Sequence, residues 1–429
     1  MGELSLAPAK KPLNGSIDIP GDKSISHRAV IFGSLAKGTT HISNFLDGED
    51  CISTIQTFEA MGVSIHRQGT NVTVKSAGTD GLKEPLVPLY FGNSGTTARL
   101  MLGILAGLPF FSTAYGDPYL TKRPMDRVVN PLREMGAQFD GREGGSFLPI
   151  AIRGKELKGI TYEMPLKSAQ VKSAVLLGGL LADGTTEVIE TTPTRDHTEN
   201  MLKAFGADIK VDGDKISITN KKRLTATNVI VPGDISSAAF YLAAGAIVPG
   251  SELTLRKVGL NEARSGIIDV LKQMGADISI HNLNETGGEV FGDITVRHSD
   301  LQGINIEGSM IPRLIDEIPI IALIATQASG KTIIRDAEEL RVKETDRIKA
   351  VGDVLTTLGA TIEETEDGMI IQGNSKLSGG VVRSYHDHRI AMMAAIASFV
   401  SEASVTIDDI SSIQISYPTF FEHFHSIQE

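Results

Sequence analysis

The chain has 429 residues, of which 41% are hydrophobic and 22% charged, with a formal net charge of −11 and no tryptophan. That length exceeds one ordinary core and favours two domains of about 200 residues each. An acidic chain of this kind is unsuited to nucleic acid, which selects basic, aromatic-interleaved surfaces, so any anion site must be a local basic cluster on an acidic body.

The opening residues, MGELSLAPAKKPLNG, hold no apolar core of signal-peptide length, and no stretch approaches the roughly 18 uncharged apolar residues of a membrane span. A cytoplasmic location without a membrane partner is expected. Cys51 is the sole cysteine, so no internal disulfide can form. Its acidic neighbours in GEDCISTIQ disfavour a thiolate, and a small helix residue is expected there rather than a nucleophile. Asn71-Val72-Thr73 matches a glycosylation sequon but reads as part of a strand.

Along the chain two patterns alternate about every 70 residues, as expected of a repeat architecture. The first is an amphipathic helix, a glycine and a strand: DCISTIQTFEAMGVSI, DRVVNPLREMGAQF, HTENMLKAFGADI, RSGIIDVLKQMGADI and DRIKAVGDVLTTLGATI. The glycine after an apolar residue is a helix C-cap signal. The second is a small-residue helix, a turn and a strand: SHRAVIFGSLAKGTTHIS, TTARLMLGILAGLPFFST, AQVKSAVLLGGLLADGTTEVIE, SSAAFYLAAGAIVPGSELTLR, DEIPIIALIATQASGKTIIRD and DHRIAMMAAIASFVSEASVTID. These helices are apolar nearly all round and should be buried. The sixth amphipathic helix is expected in ISYPTFFEHFHSI, followed by the N-terminal strand LSLAPAKKPLNGSIDIPG, so that the chain closes on itself. An α/β protein of six repeated units follows, three per domain. Residues 22–232 form a continuous domain, and 1–21 with 233–429 a discontinuous one. The crossings lie at the Pro-Gly turns Pro20–Asp22 and Val231–Asp234. The same alignment turns the near P-loop at Ala325–Thr332 into a turn and a strand, not a nucleotide site.

Five segments gather basic and small polar residues at element ends. Pro20-Gly21-Asp22-Lys23-Ser24-Ile25-Ser26-His27-Arg28 offers a cap at Asp22 or Ser24, with Lys23 and Arg28 at a positive helix end. Gly92-Asn93-Ser94-Gly95-Thr96-Thr97-Ala98-Arg99 suits a backbone nest for a carboxylate or phosphate. In Thr121-Lys122-Arg123-Pro124, Pro124 is expected at the first helical position, with Arg123 at that helix end. In Arg341-Val342-Lys343-Glu344-Thr345-Asp346-Arg347, a helix would set Lys343 and Arg347 one turn apart, either around an anion or in a salt-bridged surface. Tyr385-His386-Asp387-His388-Arg389 supplies another anion-binding arginine and a candidate acid–base histidine, without the further ligands a metal would need. Ser168-Ala169-Gln170 opens a buried helix, as a cap or as partners for a sugar-like hydroxyl. Arg195 faces an anion or pairs with Asp196. Asp316, beside an apolar helix, is a base or a cap. Basic segments from both expected domains imply a cleft for a heavily anionic ligand.

The motifs PGDKSISHRA, GNSGTTARL, DPYLTKRPM, SAQVKSA, RVKETDRI and DHRIAM, in this order, resemble the 5-enolpyruvylshikimate-3-phosphate (EPSP) synthase family over essentially the whole chain, in a divergent bacterial branch. The resemblance implies two domains, each of three βαβαββ units around a pseudo-threefold axis, with the active site in the cleft between them. It implies an enzyme of the shikimate pathway to chorismate and aromatic amino acids, which moves the enolpyruvyl group of phosphoenolpyruvate onto the 5-hydroxyl of shikimate 3-phosphate. No metal or organic cofactor is implied, and a cytoplasmic monomer is expected. Lys23, Ser24, Arg28, Ser168, Ala169, Gln170, Arg195, Asp316 and Lys343 would bind shikimate 3-phosphate. Lys23, Asn93, Gly95, Arg123, Gln170, Arg347 and Arg389 would bind phosphoenolpyruvate. Asp316 would be the base for the 5-hydroxyl, with Lys343 beside it. Lys23, Glu344 and His388 would handle proton transfer at the methylene carbon. Glu339, Arg195 and Ile415-Ser416-Tyr417-Pro418, which lacks a lysine, depart from the best-known family pattern and bear on glyphosate sensitivity. Two alternatives remain: transfer to a UDP-amino sugar, against which the cysteine-free Tyr115–Thr121 stretch speaks, and a non-enzymatic polyanion-binding repeat protein.

Overall fold

The computed structural model describes residues 2–165, 167–286 and 288–428, and two kinds of helix account for its framework. The amphipathic kind comprises Glu49–Ala60, Asp126–Glu134, His197–Ala204, Gly266–Gln273 and Arg347–Thr357. Each ends on a glycine, at positions 62, 136, 206, 275 and 359, with φ between 83° and 102°. Only glycine takes that left-handed turn without steric cost, and the turn returns two amides to the last helical carbonyls. In the first copy Gly62 N donates to Glu59 O at 2.9 Å and Val63 N to Phe58 O at 3.1 Å. Cys51 lies buried in this copy's first turn.

The second kind comprises Lys23–Leu35, Gly95–Gly107, Ala169–Gly179, Ile235–Ile247, Ile318–Gln327 and His388–Ser398. Their sequences lack a polar face, and they are accordingly buried nearly throughout; every residue of Ile235–Ile247 is buried. The chain divides into two units. One is Gly21–Val231 with Thr286–Gly288, and the other is Met1–Pro20, Pro232–Glu285 and Glu289–Glu429. Met1 and Glu429, the outermost residues of the expected discontinuous domain, lie outside the described residues. Each unit holds three of the buried helices and its own apolar core.

One sheet topology recurs. In the first copy Val229–Ile230 runs parallel to Lys37–Ser43, which pairs antiparallel with Asn71–Ala77, which pairs antiparallel with Ser64–Gln68. The period of two puts Thr40 and Ile42 opposite Val74 and Val72, and all four are buried. Four further sheets repeat this order. A sixth has three strands among the described residues, with Gly380–Val382 parallel and Leu4–Leu6 antiparallel to Val405–Ile407.

The N-terminal segment corrects one expectation. It is not a single strand of the sixth repeat. Leu4–Leu6 joins that sheet, whereas Asn14–Asp18 runs parallel to Glu252–Gly259 in another. Pro8 and Pro12 lie between the two pieces and cannot donate to a ladder, so the strand must break there. The break has a counterpart: Ala9-Lys10-Lys11-Pro12-Leu13 is echoed by Asn220-Lys221-Lys222-Arg223-Leu224. Leu13 O accepts from Glu252 N at 3.0 Å, and Leu224 O accepts from Lys37 N at 3.1 Å, each at the start of a central strand. In the near P-loop, Ala325–Gln327 end the buried helix Ile318–Gln327, and a turn leads into the strand Lys331–Ile334.

Close helix packing sets the frame of the Gly21–Val231 unit. A Cβ on Gly103 would stand 2.3 Å from Ala174 O, so the Gly95–Gly107 and Ala169–Gly179 helices meet backbone to backbone. Gly103→Ala should therefore destabilise the fold by about 1–3 kcal/mol or more, as overpacking of a rigid core does. Urea denaturation checks this, and an unchanged midpoint would refute the close approach.

Candidate active site

In the Gly21–Val231 unit, three helix starts hold the predicted residues. Asp22 caps the first, accepting from Ile25 N at 2.8 Å, and Lys23 opens that helix with Nζ 2.5 Å from Asp50 Oδ2. Ser24 lies one residue further on, and its carbonyl accepts from Arg28 Nη1 at 3.0 Å. Arg28 is buried, and its Nε and Nη2 donate to Thr198 Oγ1 at 2.7 Å and Ser173 Oγ at 3.0 Å. One guanidinium thus ties together three helices.

Ser94 caps the second helix, accepting from Thr97 N at 3.0 Å. Asn93 precedes it, with a buried Oδ1 that has no hydrogen-bond partner among the described residues. Gly95 opens the helix, and a Cβ there would stand 2.9–3.0 Å from the Arg123 guanidinium. Arg123 therefore lies at the positive end of this helix, not of its own. The expected helix start at Pro124 is corrected. Asp117 Oδ1 accepts from Tyr119 N and Leu120 N, closing a 3₁₀ turn at Leu120–Lys122. Arg123, which precedes a proline, is then extended, and the helix begins at Asp126.

Ser168 caps the third helix, with Val171 N 3.5 Å away, and Ala169 and Gln170 form its first turn. Gln170 bridges two helices: Oε1 accepts from Arg99 Nη1, and Nε2 donates to Thr96 Oγ1 at 3.0 Å. Arg195 is half-buried, just before the helix His197–Ala204.

In the other unit the cations sit among carboxylates. Arg347 is 1% exposed; its Nε donates to Asp387 Oδ2 at 2.8 Å, its Nη2 to Glu344 Oε2 at 2.7 Å, and its Nη1 to Asp316 Oδ1 at 3.2 Å. Burial works against its charge, but Asp387, Glu344 and Asp316 outweigh it and hold the guanidinium above its ordinary pKa. Lys343 Nζ lies 3.3 Å from the same Asp316 oxygen. The two cations thus converge, though not on one helix. Asp346 caps the helix that starts at Arg347, accepting from Lys349 N, and leaves Lys343 extended after a 3₁₀ turn that includes Glu339.

Asp387 caps the last buried helix, accepting from Arg389 N at 2.9 Å. His388, buried, is its first residue, and Arg389 Nη1 lies 3.7 Å from Glu317 Oε1. Asp387 directs both oxygens to Arg347. Among the described residues no group of His, Cys, Asp and Glu is arranged to hold a metal ion.

The profile of the EPSP synthase (3-phosphoshikimate 1-carboxyvinyltransferase) family matches residues 8–424. The chain belongs to the EPSP synthase family. It is 60% identical over 427 residues to a 3-phosphoshikimate 1-carboxyvinyltransferase of Oceanobacillus iheyensis, with 100% of each chain covered. A relative of the same name from Bacillus cytotoxicus is 57% identical, covering 97% of this chain and 99% of its own. A solved EPSP synthase of Acinetobacter baumannii superposes with a TM-score of 0.89 at 45% identity, over 100% of this chain and 98% of that one.

Sequence reasoning about this family member missed its internal supports. Asp387 is one: its pairing with Arg347 spans 40 residues and has no local signal. His27 is another. Its Nδ1 bonds Thr54 Oγ1 at 2.7 Å, and that hydroxyl bonds Thr97 Oγ1 at 2.7 Å, which donates to Ser94 Oγ at 2.8 Å. Burial, with Lys23 and Arg28 nearby, pushes His27 well below the ordinary imidazole pKa of 6.5. The folded state keeps it neutral where the unfolded chain would protonate it. Stability is therefore retained above pH 6.5 and falls as pH drops below that value. Between pH 6.5 and 5.5, His27→Asn should remove a slope of up to about 1.4 kcal/mol per pH unit. Denaturation at stepped pH checks this; parallel curves would refute a neutral His27.

Proposed function

We infer that the chain transfers the enolpyruvyl group of phosphoenolpyruvate to the 5-hydroxyl of shikimate 3-phosphate and releases phosphate. The observation that carries the reading is the Asp316 carboxylate set against Lys343 and Arg347, in a chain that belongs to the EPSP synthase family. A carboxylate beside an ammonium suits a hydroxyl that must lose its proton as it attacks.

The proposed roles follow the residue types. Lys23, Ser24, Arg28, Ser168, Ala169, Gln170, Arg195, Asp316 and Lys343 bind shikimate 3-phosphate. Lys23, Asn93, Gly95, Arg123, Gln170, Arg347 and Arg389 cradle phosphoenolpyruvate. A general acid drawn from Lys23, Glu344 and His388 protonates the methylene carbon and leaves the adjacent carbon electrophilic. The 5-hydroxyl oxygen bonds to that carbon as Asp316 takes its proton. The tetrahedral intermediate then loses a proton from the new methyl group, and its carbon–oxygen bond to phosphate breaks. Positioned acids, bases and cations suffice for each step. The reading includes a cytoplasmic monomer, and a buried sole cysteine fits a reducing compartment. No described helix is long and apolar enough to cross a membrane.

Phosphate release from phosphoenolpyruvate, measured with EDTA present, should require shikimate 3-phosphate and should fail with UDP-N-acetylglucosamine. The reverse pattern would overturn the acceptor. Release that EDTA abolishes would overturn the cofactor-free chemistry. Asp316→Asn should lower kcat by about 10²–10⁴-fold with the fold intact, the range a positioned base supplies. Gly95→Ala should displace Arg123 and raise KM for phosphoenolpyruvate about tenfold or more. Steady-state kinetics with each substrate varied would separate these effects, and an unchanged KM in Gly95→Ala would remove Arg123 from the cradle.

A further inference from the structure

The Gly21–Val231 unit buries a lysine that none of these roles uses. Lys172 lies on the largely apolar helix Ala169–Gly179, and its side chain is 1% exposed. Its ammonium meets Glu190 Oε2 at 2.9 Å, Glu199 Oε1 at 2.6 Å and Thr194 O at 3.4 Å, one acceptor for each of its three N–H bonds. The far oxygen of Glu190 accepts from Thr194 N at 3.1 Å and Thr194 Oγ1 at 2.5 Å. Glu199 belongs to the first turn of the helix His197–Ala204, and its Oε2 has no hydrogen-bond partner among the described residues.

We propose that Lys172 is a positioning residue for shikimate 3-phosphate, fixing the loop that presents Arg195 and the helix seam that holds Arg28. The proposal rests on the functional reading above. Arg195 follows Thr194 directly, and Lys172 grips the segment on both sides, at Glu190 and Thr194 before it and at Glu199 after it. The next rung of the same seam is Ser173 Oγ to Thr198 Oγ1 at 2.7 Å, and Arg28 donates to both hydroxyls. Ser168, Ala169 and Gln170 begin the helix that carries Lys172. Every residue assigned to this ligand in the unit, apart from Lys23 and Ser24, therefore lies within four residues of a member of the cluster or donates to its neighbours.

Stability does not account for the cluster. A buried ion triad is expensive to desolvate, and apolar residues of similar volume are often neutral or stabilising in its place. The neighbouring Val171 and Ala174-Val175-Leu176 show that the helix tolerates apolar residues readily. Burial also raises the pKa of Glu199, with Lys172 pulling it back down, which marks the arrangement as costly. What the triad provides and apolar packing does not is a fixed register between one helix and a loop.

The test is the triple variant Lys172→Met, Glu190→Gln, Glu199→Gln, which removes all three charges together and leaves no buried ion unpaired. Its thermal melt, its kinetics with each substrate varied, and calorimetric binding of shikimate 3-phosphate are measured beside wild type. The expected result is a folded variant whose KM and Kd for shikimate 3-phosphate rise about tenfold or more, with KM for phosphoenolpyruvate near wild type. Thr194→Val, which cuts only one rung, should show the same selective rise in milder form, and it decides the matter if the triple variant does not fold. An unchanged KM for shikimate 3-phosphate, or equal rises for both substrates, would overturn the proposal. A wild-type protein that neither binds nor turns over shikimate 3-phosphate would overturn the functional reading itself, and this proposal with it.

Discussion

Six helices without a polar face leave only their ends for polar chemistry, and the rest of the structure follows from that constraint. In the Gly21–Val231 unit the N-terminal turns gather, because Arg28 bonds Ser173 and Gln170 bonds Thr96. The opposite ends gather too: Leu35, Leu108 and Leu180 line one cavity of about 330 Å³. Three helices pointing the same way sum their dipoles at one place, where unsatisfied amide groups and positive potential accumulate. Lys23, Arg28, Arg99 and Arg123 add charge of the same sign there, which the helix dipoles disfavour. Local stability would select acids at these positions. Asp50, 2.5 Å from Lys23, offsets part of that cost.

The second unit meets the same constraint by interleaving acids with its cations. Ser236 Oγ donates to Glu317, which opens the next buried helix, and Arg389 on the third helix lies 3.7 Å from the same carboxylate oxygen. Asp316, the neighbour of Glu317, draws in Lys343 and Arg347. Arg347 would be prohibitively costly to bury alone; three carboxylates make the burial possible and at the same time fix the direction of its fork. The two units thus supply different chemistry from one frame. One gathers cations at helix starts, and the other holds the Asp316 carboxylate against Lys343 and Arg347.

What the sequence discloses is local. Glycine after an apolar residue fixed five helix ends, because the left-handed turn needs no tertiary information. Asp22 and Ser168 were readable as caps for the same reason, whereas the caps at Ser94 and Asp387 emerged only with the fold. Lys343 and Arg347 were misplaced on one helix because spacing alone does not reveal that Asp346 starts the helix at Arg347. Arg123 was given the wrong helix, since Gly95 is 28 residues away and only the fold brings the two together. Lys172 was invisible in an apolar run, because its acids come from the loop at Glu190 and from Glu199. Convergence of this kind depends on packing, and periodicity does not encode it.

Repetition explains why such different ends could arise on one frame. Pro20-Gly21-Asp22 and Pro232-Gly233-Asp234 begin equivalent helices, each with its aspartate accepting from a first-turn amide. A Cβ on Gly21 would collide with Asn44 O at 1.9 Å, and one on Gly233 would stand 3.1 Å from Lys257 O. Asn44 and Lys257 share the left-handed conformation, at φ 56° and 54°. The backbone is therefore the same at both starts, and the side chains are not. Beyond Asp22 stands Lys23, paired with Asp50 and part-exposed. Beyond Asp234 the charge is closed off, with Arg264 buried against it at 3.1 Å. Because caps and glycines hold each unit, the residues just past a cap can change without loss of the fold. Binding chemistry could then diverge at each helix start while the scaffold stayed constant.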